Sequence, residues 1–179
     1  LEKKINCNLW PQSDEEMFKE TFNDYKDSKN FMTYYMSISS HLSHDFDSND
    51  MAKKHKKEVN NLSYSTNVKA YISALIDLDK AMESLLNNLE KNNLIDDTVI
   101  VIVPDHYPYG LSDEELNEIE TLTNPYDKYK SGLIIYNSSL KHEKINKYAS
   151  NIDILPTLLN MFGLNYDSRV IIGKDIMSN

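Results

Sequence analysis

Asp105 and His106 stand side by side just beyond five consecutive β-branched residues, Val99 to Val103, with Pro104 between. A hard oxygen ligand next to an imidazole is a donor set for a divalent cation. The β-branched run is bounded by polar residues and proline, and it predicts a strand buried on both faces in a parallel sheet. In open α/β sheets, ligand chemistry collects at the carboxyl ends of strands. There the extended geometry has ended, so both side chains can turn toward one ion. The alternative is a turn or N-cap aspartate beside a surface histidine, and spacing alone leaves both readings open.

A second candidate lies upstream. Residues 31–39 are rich in aromatic and apolar groups and predict another central strand. It is followed by the polar stretch Ser40-His41-Leu42-Ser43-His44-Asp45. His41 and His44 thus fall at a presumed carboxyl end, with a solvated loop histidine as the competing reading for each. The Lys53-Lys-His-Lys-Lys57 cluster is the one basic patch; it could meet phosphate or an anionic headgroup, but is expected to be ordinary solvated surface. His142 shows no partner in the sequence.

The elements that must position these residues are readable from caps and periodicity. Ser13 with Glu16 forms a capping box for a helix expected to end near Lys29. Residues 46–65 read as an extended loop. From Thr66 to Lys91, Val68, Tyr71, Ile72, Leu75, Leu78, Met82, Leu85, Leu86 and Leu89 repeat at helical spacing, and with the strand at 99–103 this helix is expected to form half of a right-handed βαβ crossover. Ser112 and Glu115 cap a short helix after the loop at 107–110. Residues 132–136 predict a third strand. Asp153 is expected to cap a helix with Pro156 in its first turn, closing on Gly163, and residues 170–177 form a short strand or extended arm.

The bounds are consistent with one α/β domain. The chain has 179 residues, long enough for a sizeable core. A formal net charge of −9 and a pI near 5.0 argue against general nucleic-acid binding. The single cysteine, Cys7, excludes an internal disulfide. No run of about 18 apolar residues occurs and the start is not a signal peptide, so the piece is expected to be soluble. Without an initiating methionine it is expected to have been cut from something longer. No GxGxxG, GxxxxGK[ST] or GxSxG motif is present.

Four blocks, taken in order, resemble the carboxyl-terminal part of the catalytic domain of the lipoteichoic acid synthases, within the alkaline phosphatase and sulfatase superfamily. They are Tyr34-Tyr-Met-Ser-Ile-Ser-Ser-His41, the long helix followed by Leu94 through His106, Ser150 through Gly163, and Ile172-Gly-Lys-Asp-Ile-Met-Ser178. The chain departs from the family at Pro104, where glycine is usual, and at Tyr107-Pro-Tyr-Gly. The family's nucleophilic threonine and a further acidic ligand belong to an upstream segment, and neither Thr33 nor Thr66 sits in a matching motif.

The resemblance implies an α/β fold with a mostly parallel sheet flanked by helices, residues 1–179 being the later part of a sulfatase-like catalytic domain. It implies Asp105 and His106 as metal ligands, with manganese as the ion and magnesium or zinc as alternatives, and His41 as a substrate contact. The parent would be a membrane-anchored phosphoglycerol transferase with an extracellular catalytic domain, acting on a phosphoglycerol lipid or other anionic polymer in cell-wall synthesis through a phospho-threonine intermediate. The 179 residues alone are expected to be inactive, since two ligands do not complete a catalytic site, and to self-associate through a cut sheet edge. A sulfatase or phosphodiesterase-type hydrolase is the rival within the enzyme class, and a non-catalytic binding module the rival outside it.

Overall fold

The computed structural model describes residues 8–178. Cys7 lies outside them. The chain divides into two compact units, Leu1–Leu140 and Lys141–Asn179.

The first unit is built along helix α4, Thr66–Lys91, which is about 39 Å long at 1.5 Å per residue. Ser65 caps it, its Oγ accepting from the Val68 N–H. Three apolar patches are strung along it. Near its start, Val68 packs with Leu111 and Leu116 of helix α5, Asp113–Ile119, and the loop before it. One turn on, Ala70 and Ala74 receive Met51 and Ala52 of helix α2, Asp50–Lys54. Toward its end, Ala81, Leu85 and Leu89 pack against Phe18 and Phe22, which lie on and just after helix α1, Asp14–Thr21. The alanines are what let α2 approach so closely, since a larger residue at either position would hold the backbones apart. A short helix α3, Lys56–Val59, follows α2 and buries Val59.

Residues 46–65 are therefore not an extended loop. Asn49 caps α2 through its side-chain oxygen, 2.7 Å from the Ala52 N–H, and two such short helices carry too few turns to show a period. Helix α1 likewise stops at Thr21, with a 3-10 turn Phe22–Asp24, well before Lys29. The capping box on α5 is fully formed, Ser112 and Glu115 each accepting the other's backbone N–H.

The expected parallel sheet is not found. Among the described residues the sheet has two strands, β1 (Ile100–Ile102) and β2 (Ile134–Tyr136), paired antiparallel with Val101 opposite Ile135. A β-branched run encodes extended backbone and burial but not strand direction, which its partner decides. Here the direction is fixed by Asn137, whose amide donates to the Asp96 and Thr98 carbonyls at 3.0 and 2.9 Å, and by Ser138 on Asp96. Residues 31–38 lie outside any ladder. Tyr35 is held inside, stacked on Phe18 with ring centroids 4.0 Å apart, while Met32 and Tyr34 are 94% and 78% exposed.

The second unit is organised on helix α6, Asn151–Met161. Ser150 rather than Asp153 is its cap, and Asp153 answers from the third position. Pro156 consequently sits inside the helix, where it leaves the Ile152 carbonyl without its helical donor. Gly173 packs directly on that carbonyl, so tightly that a Cβ there would lie 1.9 Å from the oxygen. The helix closes on Gly163 at φ 64°, with Leu164 and Gly163 N–H groups donating to Leu159 and Asn160 carbonyls. Residues 171–178 form an arm without a strand, tied to α6 by Lys174 N–H on Asp153 and Ile176 N–H on Thr157.

Asp77 of α4 is the polar joint of the first unit. Its side chain is wholly buried and accepts from Ser13 Oγ (2.9 Å), the Glu15 N–H (3.2 Å) and Lys54 Nζ (2.7 Å), with His55 Nε2 at 3.3 Å. Burial pushes its carboxyl up, but the bonds from Lys54, Glu15, Ser13 and His55 outweigh it and hold Asp77 below the ordinary range. A depressed carboxylate stabilises the fold above its unfolded pKa and loses that contribution as pH falls through the folded value. Asp77→Ala is expected to cost about 3 kcal/mol, the low end for a buried charge network because Lys54 stays partly in water. It should also remove part of the acid sensitivity, as checked by urea unfolding at pH 7 and in a descending pH series.

Candidate metal and phosphate site

The β1 strand delivers Asp105 and His106 to an irregular, open stretch. Their side chains are 85% and 52% exposed. His106 Nδ1 lies 2.8 Å from the Tyr107 carbonyl, which can only accept, so Nδ1 carries the proton of the neutral ring. That leaves the Nε2 lone pair 3.5 Å from Asp105 Oδ2. Two acceptor atoms at this separation fit a cation held by both, since bonds of about 2.1 Å at near-tetrahedral angles span almost that distance. A backbone carbonyl on Nδ1 is the kind of outer-shell group that sets the tautomer of a ligating histidine. Asp105 Oδ1 meanwhile accepts the His106 N–H at 2.9 Å, which orients the carboxylate. Among the described residues no group of three or more His, Cys, Asp or Glu side chains converges on one point, so the pair offers two ligands.

His41 is held in a comparable way. Its Nδ1 lies 3.2 Å from the Leu42 carbonyl, so Nε2 is the outward atom of the neutral ring. The backbone before it is fixed from the interior. Asp14, fully buried at the start of α1, accepts the Ile38 N–H at 2.9 Å, the Ser39 N–H at 3.1 Å and Ser39 Oγ at 2.6 Å. Burial nevertheless raises its carboxyl above the usual range, against the pull of those bonds. Asn49 closes the turn from the other side, donating to the His41 carbonyl at 2.9 Å.

The two histidine loops touch. A Cβ on Gly110 would lie 2.1 Å from Leu42 Cδ2 and 2.8 Å from His44 Cδ2, so the loop leaving the Asp-His pair packs directly on the one leaving His41. His44 itself is buried, edge to face with Tyr71 of α4 at 5.0 Å, and its Nδ1 has no hydrogen-bond partner among the described residues. Burial lowers its pKa, which keeps the ring neutral. His44 is thus packing rather than an outward ligand. His142 is exposed in the other unit.

Sequence reasoning passed over Asp14, Asn49 and Asp77, and read His55 only as part of a solvated basic cluster. His55 is in fact buried between Asp77 and Glu58, and Lys54 is paired with Asp77 and Glu15. Asp14 and Asn49 carried a signal, since each begins a helix, but nothing in the chain says which distant backbone their oxygens and amides will meet.

The model of the sulfatase family matches residues 2–164. The chain belongs to the sulfatase family. This sulfatase-family chain is 28% identical to the lipoteichoic acid synthases of Staphylococcus aureus strains USA300 and N315, over 99% of its own length and 29% of theirs. It therefore spans less than a third of the curated relatives it matches. Its fold is that of the lipoteichoic acid synthase LtaP from Listeria monocytogenes, with a TM-score of 0.71 over 92% of this chain and 42% of that one, at 23% identity. The expected relationship is borne out across nearly the whole chain. No helix among the described residues is long and apolar enough to cross a membrane.

Gly110→Ala tests how the two loops of this sulfatase-family chain are registered. It is expected to lower stability by about 1–3 kcal/mol, the usual cost of overpacking, and to shift the ring resonances of His44, as read by urea unfolding and NMR.

Proposed function

We propose that this chain is the carboxyl-terminal part of the catalytic domain of a metal-dependent phosphoglycerol transferase, acting outside the cell from a membrane-anchored protein. The observation that carries the proposal is the Asp105–His106 pair, two acceptor atoms 3.5 Å apart at the end of β1, in a sulfatase-family chain related to lipoteichoic acid synthases.

In this reading Asp105 Oδ2 and His106 Nε2 are two ligands of one divalent cation, manganese by preference with magnesium or zinc as alternatives, and the remaining ligands and the nucleophile come from outside these residues. When bound, the ion supplies Lewis-acid stabilisation of charge on the phosphoryl oxygens and of a bound hydroxyl. The Tyr107 carbonyl keeps the His106 proton on Nδ1, so that Nε2 stays available. His41 presents Nε2: with the ring protonated it donates to a phosphate oxygen or the departing alcohol, and with the ring neutral and Nδ1 holding the proton it accepts from an alcohol hydroxyl. Asp14 and Asn49 hold the turn that presents it. The substrate class is a phosphoglycerol lipid or a similar anionic polymer.

A hydrolase is the second reading, favoured by the family's own description as sulfatase. The two differ in whether a glycerol hydroxyl or water accepts the group.

Calorimetric titration of the 179-residue chain with Mn²⁺ tests the pair. Asp105→Ala and His106→Ala are each expected to weaken binding by about tenfold or more; unchanged affinity would sink the assignment. The chain alone is expected to give no turnover of a phosphodiester, and turnover would overturn the view that its site is completed from elsewhere.

A further inference from the structure

The only tryptophan of the chain is placed beside His41, and a piece of framework is spent on keeping it there. Trp10 is 53% exposed, yet it is not a loose end: Pro11 after it is fully buried, and so is Ser13. Its backbone N–H donates to Asp50 Oδ2 at 2.9 Å, and its backbone carbonyl accepts the Asp50 N–H, also at 2.9 Å. The neighbouring residue, Asn49, donates its side-chain amide to the His41 carbonyl at 2.9 Å. Two adjacent residues at the start of α2 thus grip the two chain segments separately. The result is an indole and an imidazole with centroids 5.7 Å apart and planes inclined at 64°, both open to solvent.

We propose that Trp10 is a specificity-determining wall of the His41 site, and that the pair recognises the phosphate ester of a polyol or sugar. The imidazole, protonated at Nε2 as well as Nδ1, donates to the phosphate, and the indole face lies against the C–H-rich side of the alcohol. The inference rests on the reading of His41 as a phosphate contact and adds to it the group that selects the alcohol. An exposed indole is amphipathic: it offers a large flat apolar surface without losing its own N–H to burial. The backbone that carries the ring is clamped on Asp50, so only the two side-chain torsions of Trp10 are left to be fixed when a ligand covers it, and the contact is partly pre-organised. A ring meant only to shield His41 would be expected to close over it. Here both remain accessible, as a binding wall must.

The test uses the intact chain loaded with Mn²⁺ and three probes: glycerol 1-phosphate, a hexose 1-phosphate and inorganic phosphate. Because Trp10 is the sole tryptophan, its fluorescence reports contact directly. At least one ester is expected to change the emission saturably and to bind about five- to tenfold tighter than inorganic phosphate, the scale of one aromatic contact; which ester does so identifies the alcohol. By calorimetry, Trp10→Ala should erase that preference and leave inorganic phosphate binding as it was, Trp10→Phe should keep part of it, and Asp50→Ala, which keeps the ring but loosens the backbone that carries it, should reduce it. A merely structural role for Trp10 would weaken all three probes together. An unchanged ester-to-phosphate ratio in Trp10→Ala, with inorganic phosphate still lost in His41→Ala, overturns the wall and spares the His41 reading. If inorganic phosphate binds no better to the parent than to His41→Ala, the His41 reading falls and the wall falls with it.

Discussion

A single buried carboxylate holds the first unit together. Asp77 sits on the inward face of α4 and is bonded by Ser13 and Glu15 where α1 begins, and by Lys54 and His55 where α2 ends. An unpaired carboxylate at that position would cost several kcal/mol, so α1 and α2 cannot drift from α4 without exposing or orphaning it. Apolar packing on either side is non-directional; the alanine contacts to α2 and the phenylalanine contacts from α1 would tolerate sliding. Asp77 supplies the registration that packing lacks.

The site depends on that registration at one remove. With α1 fixed, Asp14 is fixed one residue beyond Ser13, and its carboxylate sets the Ile38–Ser39 turn. With α2 fixed, Asn49 sets the His41 carbonyl and Asp50 the Trp10 backbone. The chain from Asp77 to His41 is thus a short series of buried and partly buried hydrogen bonds. The Asp105–His106 pair is reached by a different route, through β1 and its clamp at Asn137, and the two routes meet where Gly110 lies on Leu42 and His44.

Much of this was legible in the sequence, and the limits have physical causes. The α4 helix and the α5 cap could be read because their signals are local: a long apolar period, and a Ser-Glu pair at fixed spacing. The Asp-His pair could be read because it follows a β-branched run. Sheet direction could not, because it is set by Asn137 and Ser138 contacting Asp96 and Thr98 across a large sequence gap. The extended stretch at 31–38 shows the same limit, since aromatic residues favour extended backbone whether or not a ladder forms. Lys54 and His55 misled because a charge run is normally solvated, and nothing near them announces an acidic partner on α4.

The pairing of those lysines bears on the chemistry. A chain of net charge −9 repels an anionic substrate in general, and the basic cluster looks at first like the compensation. Yet Lys54 is taken up by Asp77 and Glu15, Lys53 lies beside Asp50 and bonds the Asp47 carbonyl, and Lys56 sits over the Phe46 ring. The charge of Lys54, at least, is taken up within the fold. Under the proposed function a cation on Asp105 and His106 supplies positive potential at the phosphate. The acidic surroundings help to gather that ion, and the ion, once seated, reverses the local sign. Metal binding and phosphate binding are in that case ordered by electrostatics, the first making the second possible.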